Sequence, residues 1–93
     1  MDLLKLEQII KDRVKNPIND SYTNELLAKG SNKIAQKVGE EATEVIVAAL
    51  AEGKSELICE SADLLYHLLV LLADKQVSLD EIYNELAKRH GNS

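Results

Sequence analysis

Apolar residues recur at helical spacing from one end of this chain to the other. Leu3, Leu6, Ile10 and Val14 form a first stripe with polar residues between them, the alternation of threes and fours that marks one face of a helix. Asn16-Pro17-Ile18-Asn19-Asp20 interrupts it, as Pro and Asn/Asp clusters do. A short second helix is predicted from about Tyr22 to Lys29, with Gly30 as its C-terminal stop. Ser31 is expected to cap a third helix that runs to about Glu52 and stops at Gly53. Ser55 is expected to cap a fourth, running to about Asp74 or Lys75. Ser78-Leu79-Asp80-Glu81 reads as a capping box that opens a fifth helix ending near Gly91. The terminal Gly91-Asn92-Ser93 is expected to fray.

The third and fourth helices are the long ones, about 20 residues and roughly 30 Å each at 1.5 Å rise. The brief break at Gly53-Lys54 makes them antiparallel neighbours. The fourth is apolar on nearly every side, with Leu57, Ile58, Ala62, Leu64, Leu65 and Leu68 leading into Leu69, Val70, Leu71 and Leu72. A helix apolar all round is buried all round, and this chain has too few other helices to cover it. Two hairpins from two chains would complete a four-helix core. The expected fold is therefore all-α, with about five helices, forming a homodimer or an assembly of dimers.

Composition narrows the picture. Ninety-three residues support a single domain over 1–93. Phe and Trp are absent and there are 15 leucines, so the core is aliphatic. One Pro and four Gly are too few for the turns of an all-β sandwich. The net charge of −5, with no dominant basic patch, argues against nucleic acid as a partner. An acidic chain can still take an anionic substrate when metal ions bridge the two. Cys59 stands alone, so no internal disulfide forms, and it reads as a small buried hydrophobe. The N-terminus lacks the apolar run of a signal peptide. The most apolar window, Leu57 to Ala73, contains Glu60, Asp63 and His67, which a bilayer tolerates poorly. No membrane association is expected, and a cytoplasmic location is.

The chemistry lies where acids interrupt the apolar helices. On the third helix, Ile34, Val38, Val45 and Ala48 form a stripe that contains Glu41, with Glu44 three residues further on. On the fourth, Glu60 and Asp63 are also three apart, so each pair shares a helix face. Glu41 and Asp63, and likewise Glu44 and Glu60, are equidistant from a turn centred near residue 52. The two pairs are thus expected to face each other across the hairpin. Four carboxylates in an apolar site repel one another and are penalised by desolvation. Hard divalent cations offset both costs, and oxygen ligands suit Mg²⁺, with Mn²⁺ as a substitute. Zinc fits less well, because Cys and His lack the usual ligand spacing. The plain alternative is a set of salt-bridged interior acids, for which the fourth helix offers only His67 as a facing cation.

Lys29, Lys33 and Lys37 recur every four residues and lead into Glu40-Glu41. Lysines at a helix N-terminus can cradle phosphate, or they can form a solvated face pairing with Glu40 or Glu41. Lys33 alone fits the solvated face, and Lys37 fits either role. His67, four after Asp63, can orient a carboxylate, touch substrate, or sit as a satisfied core or interface histidine. Tyr66 can pack with its hydroxyl on a polar partner or contact substrate.

Ser21-Tyr22-Thr23, Gly30, the run Lys33-Ile34-Ala35-Gln36-Lys37-Val38-Gly39-Glu40-Glu41-Ala42 with Glu44, and Glu60-Ser61-Ala62-Asp63-Leu64-Leu65-Tyr66-His67 together resemble phosphoribosyl-ATP pyrophosphohydrolase. The resemblance covers about residues 3 to 90. The bare pattern of paired acids is broader and marks the all-α nucleoside triphosphate pyrophosphatases, including dimeric dUTPases and MazG-type house-cleaning enzymes. The resemblance implies hydrolysis of phosphoribosyl-ATP to phosphoribosyl-AMP and pyrophosphate with Mg²⁺, the second step of histidine biosynthesis. It implies Glu41, Glu44, Glu60 and Asp63 as metal ligands. It gives Glu40 a place behind the metal or at the attacking water, and the chain the stand-alone form rather than a fusion to the next enzyme.

In the mechanism expected from both readings, Glu40 orients or deprotonates water. Lys37, with Lys33, stabilises charge gathering on pyrophosphate, and Lys33, Lys37, Tyr66 and His67 contact substrate. The alternative function is a MazG-like pyrophosphatase acting on ordinary or damaged nucleotides. A carboxylate-bridged iron protein would want Glu-x-x-His pairs, which are missing here. A purely structural bundle would bind no divalent ion.

Overall fold

The computed structural model describes residues 1–91; the expected fraying at Asn92 and Ser93 lies outside the described residues. Among the described residues five helices follow one another: α1 (Leu3–Lys15), α2 (Tyr22–Lys29), α3 (Ser31–Ala51), α4 (Lys54–Asp74) and α5 (Leu79–His90). Among the described residues there is no strand.

Local chemistry fixes most of the ends. Asp2, Ser21 and Ser78 cap α1, α2 and α5, each side chain accepting from the backbone N–H three residues on, which satisfies one of the free donors of a first turn. Asn24 ties α2 to the preceding loop: its Oδ1 accepts from Ile18 N at 3.1 Å and its Nδ2 donates to Arg13 O at 2.8 Å. Two expected caps are corrected. Gly30, not Ser31, is the N-cap of α3, and Gly53, not Ser55, is the N-cap of α4. Gly30 also ends α2, at φ 92°, a left-handed conformation that glycine adopts without steric cost. With one residue serving both helices, Ser31 is already inside the first turn. Its hydroxyl instead donates to Asp74 Oδ2 at 2.5 Å, tying the start of α3 to the end of α4.

α3 and α4 pack along their length as the expected antiparallel hairpin. The buried core, Ile10, Leu26, Ile34, Leu69, Val70 and Leu79, draws on all five helices. It lies at the end of the hairpin where α3 begins and α4 finishes. The other end projects: Ile46, Val47, Leu50 and Ile58 are exposed around the turn. The radius of gyration is 14.5 Å, against about 12 Å for a compact domain of this length. The projecting hairpin accounts for the excess. α4 is not buried all round within one chain, since Ile58, Leu65 and Leu68 face outward. An apolar cavity of about 240 Å³ lies between α4 and α5, lined by Leu65, Leu68, Leu72, Ile82 and Leu86 among others. No helix among the described residues is long and apolar enough to cross a membrane.

Candidate active site

The acids sit at the level where the core gives way to the projecting hairpin. Glu41 occupies a core position of α3 between buried Ile34 and Ala48, and is itself only 6% exposed. The hairpin register brings Glu60 of α4 to it. Glu41, Glu44 and Glu60 each present a carboxylate oxygen within 4.8 Å of the others. Asp63 does not join that trio at this distance. It groups with Glu60 and Cys59 instead, and its shorter side chain is exposed. Glu60 belongs to both groups and links them. Cys59 is exposed, a correction to its expected burial: it lies on the acid-bearing side of α4, away from the core face.

The electrostatics are those of an acid cluster short of cations. Among the described residues, Glu41 Oε2 and Glu60 Oε2 are buried without a hydrogen-bond partner. Burial first, then the hydrogen bond and charge of Glu44, raise the Glu41 carboxyl above its ordinary range, and Lys37 only partly opposes them. Lys37 Nζ lies 3.5 Å from Glu41 Oε1 and 3.6 Å from Glu40 Oε2. Desolvation pulls the Lys37 ammonium down, but Tyr22, Glu41 and Glu40 outweigh it and hold its pKa above normal. Glu40 is exposed; it accepts from Gln36 Nε2 at 2.7 Å, and this bond, with the charges of Lys37 and Lys33, lowers its pKa. Lys33 therefore lies within electrostatic reach of Glu40.

Divalent cations fit this arrangement. With metal–oxygen bonds of about 2.1 Å, one Mg²⁺ spans oxygens up to roughly 4.2 Å apart, close to the spacing of the trio. Two buried oxygens without partners are an expensive feature, and a cation between them removes the cost.

Tyr66 and His67 lie one turn of α4 beyond Asp63. His67 is 4% exposed. Its Nδ1 donates to the Asp63 backbone carbonyl at 2.7 Å, and its Nε2 is 2.9 Å from the Tyr22 hydroxyl. Both ring nitrogens are thus engaged within the chain, and neither is open to a ligand in this arrangement. The Tyr66 hydroxyl bonds Thr23 Oγ1, and burial raises its pKa. Tyr22 and Tyr66 stack with centroids 6.1 Å apart, while His67 meets both rings edge-on. Sequence reasoning used Tyr22 and Thr23 only as part of a motif and missed these contacts. A tyrosine beside an N-cap serine, just before the acid-bearing hairpin, was the available signal. The nearness of Cys59 to Asp63 was also legible, as an i, i+4 spacing.

Residues 3–90 match the family described as phosphoribosyl-ATP pyrophosphohydrolase. The chain is 56% identical over 87 residues to the phosphoribosyl-ATP pyrophosphatase of Lactiplantibacillus plantarum, covering 94% of this chain and 82% of that protein. It is 54% identical over 90 residues to the protein of that name from Limosilactobacillus fermentum, covering 97% and 85%. It is 52% identical over 88 residues to the histidine biosynthesis bifunctional protein HisIE of Caldanaerobacter subterraneus; this covers 95% of the chain but only 43% of that longer protein. A match across nearly the whole chain, at identities above half, coincides with an acid-lined hairpin, and the chain belongs to the phosphoribosyl-ATP pyrophosphohydrolase family.

Proposed function

We propose that this chain hydrolyses phosphoribosyl-ATP to phosphoribosyl-AMP and pyrophosphate, with Mg²⁺, or Mn²⁺ in its place, held by Glu41, Glu44, Glu60 and Asp63. The observation that carries the metal reading is the pair of buried, partnerless oxygens on Glu41 and Glu60, which come from opposite helices. Family membership supports the substrate.

When bound, the cation neutralises phosphate charge and acidifies a coordinated water. The chain's own residues do the rest. Glu40 is exposed and held ionised by Gln36, Lys37 and Lys33, so it offers an oxygen to orient a water or take its proton. Lys37, kept cationic beside Glu41, stabilises charge collecting on the pyrophosphate. Lys33 adds positive potential one turn earlier on α3. Tyr66 and His67 shape the site wall beside Asp63. Two copies of the hairpin pair to cover Leu50 and Ile58, which lie 84% and 61% exposed in one chain. The assembly is a cytoplasmic homodimer or multiple of it.

The test is pyrophosphate release with Mg²⁺ from phosphoribosyl-ATP, ATP, dUTP and dCTP. Strong preference for phosphoribosyl-ATP, lost on chelation, is the expected result. Equal turnover of ordinary nucleotides would move the protein to nucleotide house-cleaning. Turnover untouched by chelation would remove the metal.

A further inference from the structure

α2 reaches across to α4 beside the acid cluster through two adjacent residues, Tyr22 and Thr23. The Tyr22 contact continues further. A backbone carbonyl carries no proton, so the 2.7 Å bond between His67 Nδ1 and Asp63 O has Nδ1–H as its donor. The neutral ring then has a bare Nε2, and the Tyr22 hydroxyl donates to it at 2.9 Å. The chain of donation runs from Tyr22 to His67 to Asp63. In the α-helical ladder of α4 the same Asp63 carbonyl faces the backbone N–H of His67. It is thus held from two sides. Tyr22 is 46% exposed while His67 is 4% exposed.

We propose that Tyr22 and His67 are positioning residues, and that their hydrogen-bond chain fixes the turn of α4 that presents Asp63 to the divalent cation. This rests on the reading of Asp63 as a ligand. Partners one shell behind metal ligands set ligand orientation, and their loss typically weakens metal affinity about 10- to 100-fold.

The experiment measures Mn²⁺ affinity of the full chain without substrate, by electron paramagnetic resonance of the free ion, with melting temperature in the same buffer. Asparagine at position 67 sets an amide near the place of Nδ1; it can donate to the Asp63 carbonyl but cannot reach Tyr22. Glutamine reaches toward Tyr22 and loses the Asp63 donor. His67→Gln is expected to weaken Mn²⁺ about tenfold, whereas His67→Asn stays within about threefold of the parent. Tyr22→Phe is expected to weaken Mn²⁺ about threefold with His67 in place, and to add nothing in the His67→Asn background. A purely structural role would lower melting temperature in both His67 variants and leave Mn²⁺ affinity of the folded protein unchanged; that result overturns the proposal. So does equal weakening by Asn and Gln. Should His67→Gln not fold, Tyr22→Phe, which removes one oxygen, decides alone. Asp63→Asn separates the two readings. If it leaves Mn²⁺ affinity unchanged, the ligand assignment fails. If it weakens Mn²⁺ while Tyr22→Phe does not, the positioning role alone fails.

Discussion

Glu41 and Glu60 stand on opposite helices of one hairpin, and each keeps one oxygen, Oε2, buried without a hydrogen-bond partner among the described residues. The fold thus holds a cost within itself that is relieved only from outside. Glu41→Gln removes the charge and keeps the shape. It is expected to stabilise the metal-free protein by about 1 kcal/mol and to lower kcat more than tenfold, about 1.4 kcal/mol in barrier. Chemical denaturation and steady-state kinetics on the same preparation check both.

The same residue sets a pH dependence. Its folded-state pKa lies above the ordinary value of 4.5. Its contribution to stability is therefore complete below that value and is lost as pH rises through the raised one. The metal-free protein should lose stability as pH climbs upward from 4.5, and Glu41→Gln should flatten that slope. Saturating Mg²⁺ should reverse its sign, because the ion binds the ionised form. Melting curves across pH, with and without Mg²⁺, read this directly.

Lys37 is the cation paired with the cluster among the described residues. Lys37→Met removes charge and keeps most of the stem. It is expected to lower kcat about 100-fold, the scale of a lost transition-state donor. KM should change far less. Glu41 should titrate higher still, observable by carboxylate NMR.

Cys59 is exposed and within 4.8 Å of Glu60 and Asp63 oxygens. Alkylation there crowds two of the acids. Iodoacetamide should abolish Mg²⁺-dependent turnover of the parent chain and leave Cys59→Ser active, as progress curves before and after treatment would show.

The projecting hairpin gives the last prediction. Ile58→Asp puts a charge on the expected chain-to-chain face. Light scattering should show the parent at twice the chain mass or a multiple of it, and the variant at one chain.

Much of this was legible in the sequence, for identifiable reasons. The five helices followed from stripes such as Leu3, Leu6 and Ile10, because a period near 3.6 is set by geometry alone. Ser21 and Ser78 act as short polar side chains do at helix starts. Ser31 and Ser55 misled because α3 and α4 begin one and two residues earlier than a serine cap requires, at Gly30 and Gly53, so both serines already lie inside the first turn. The meeting of Glu44 with Glu60 followed from symmetry about the turn. Symmetry did not foretell that Asp63 would group with Cys59 rather than Glu41, since side-chain length and direction decide contacts at that range. The Tyr22–His67 bond joins residues 45 apart in sequence; no periodicity within one helix encodes it.

Gly30 closes α2 and opens α3 in a single residue. Tyr22 and Lys37 are thus carried on two rigid rods joined without slack, and their angular phase around α4 is written into the count of residues between them. One residue inserted inside α3, between Ile34 and Lys37, would turn the acids by about 100° relative to the start of that helix, and so relative to α2. The acids would then face away from the tyrosine, with every residue of the site still present.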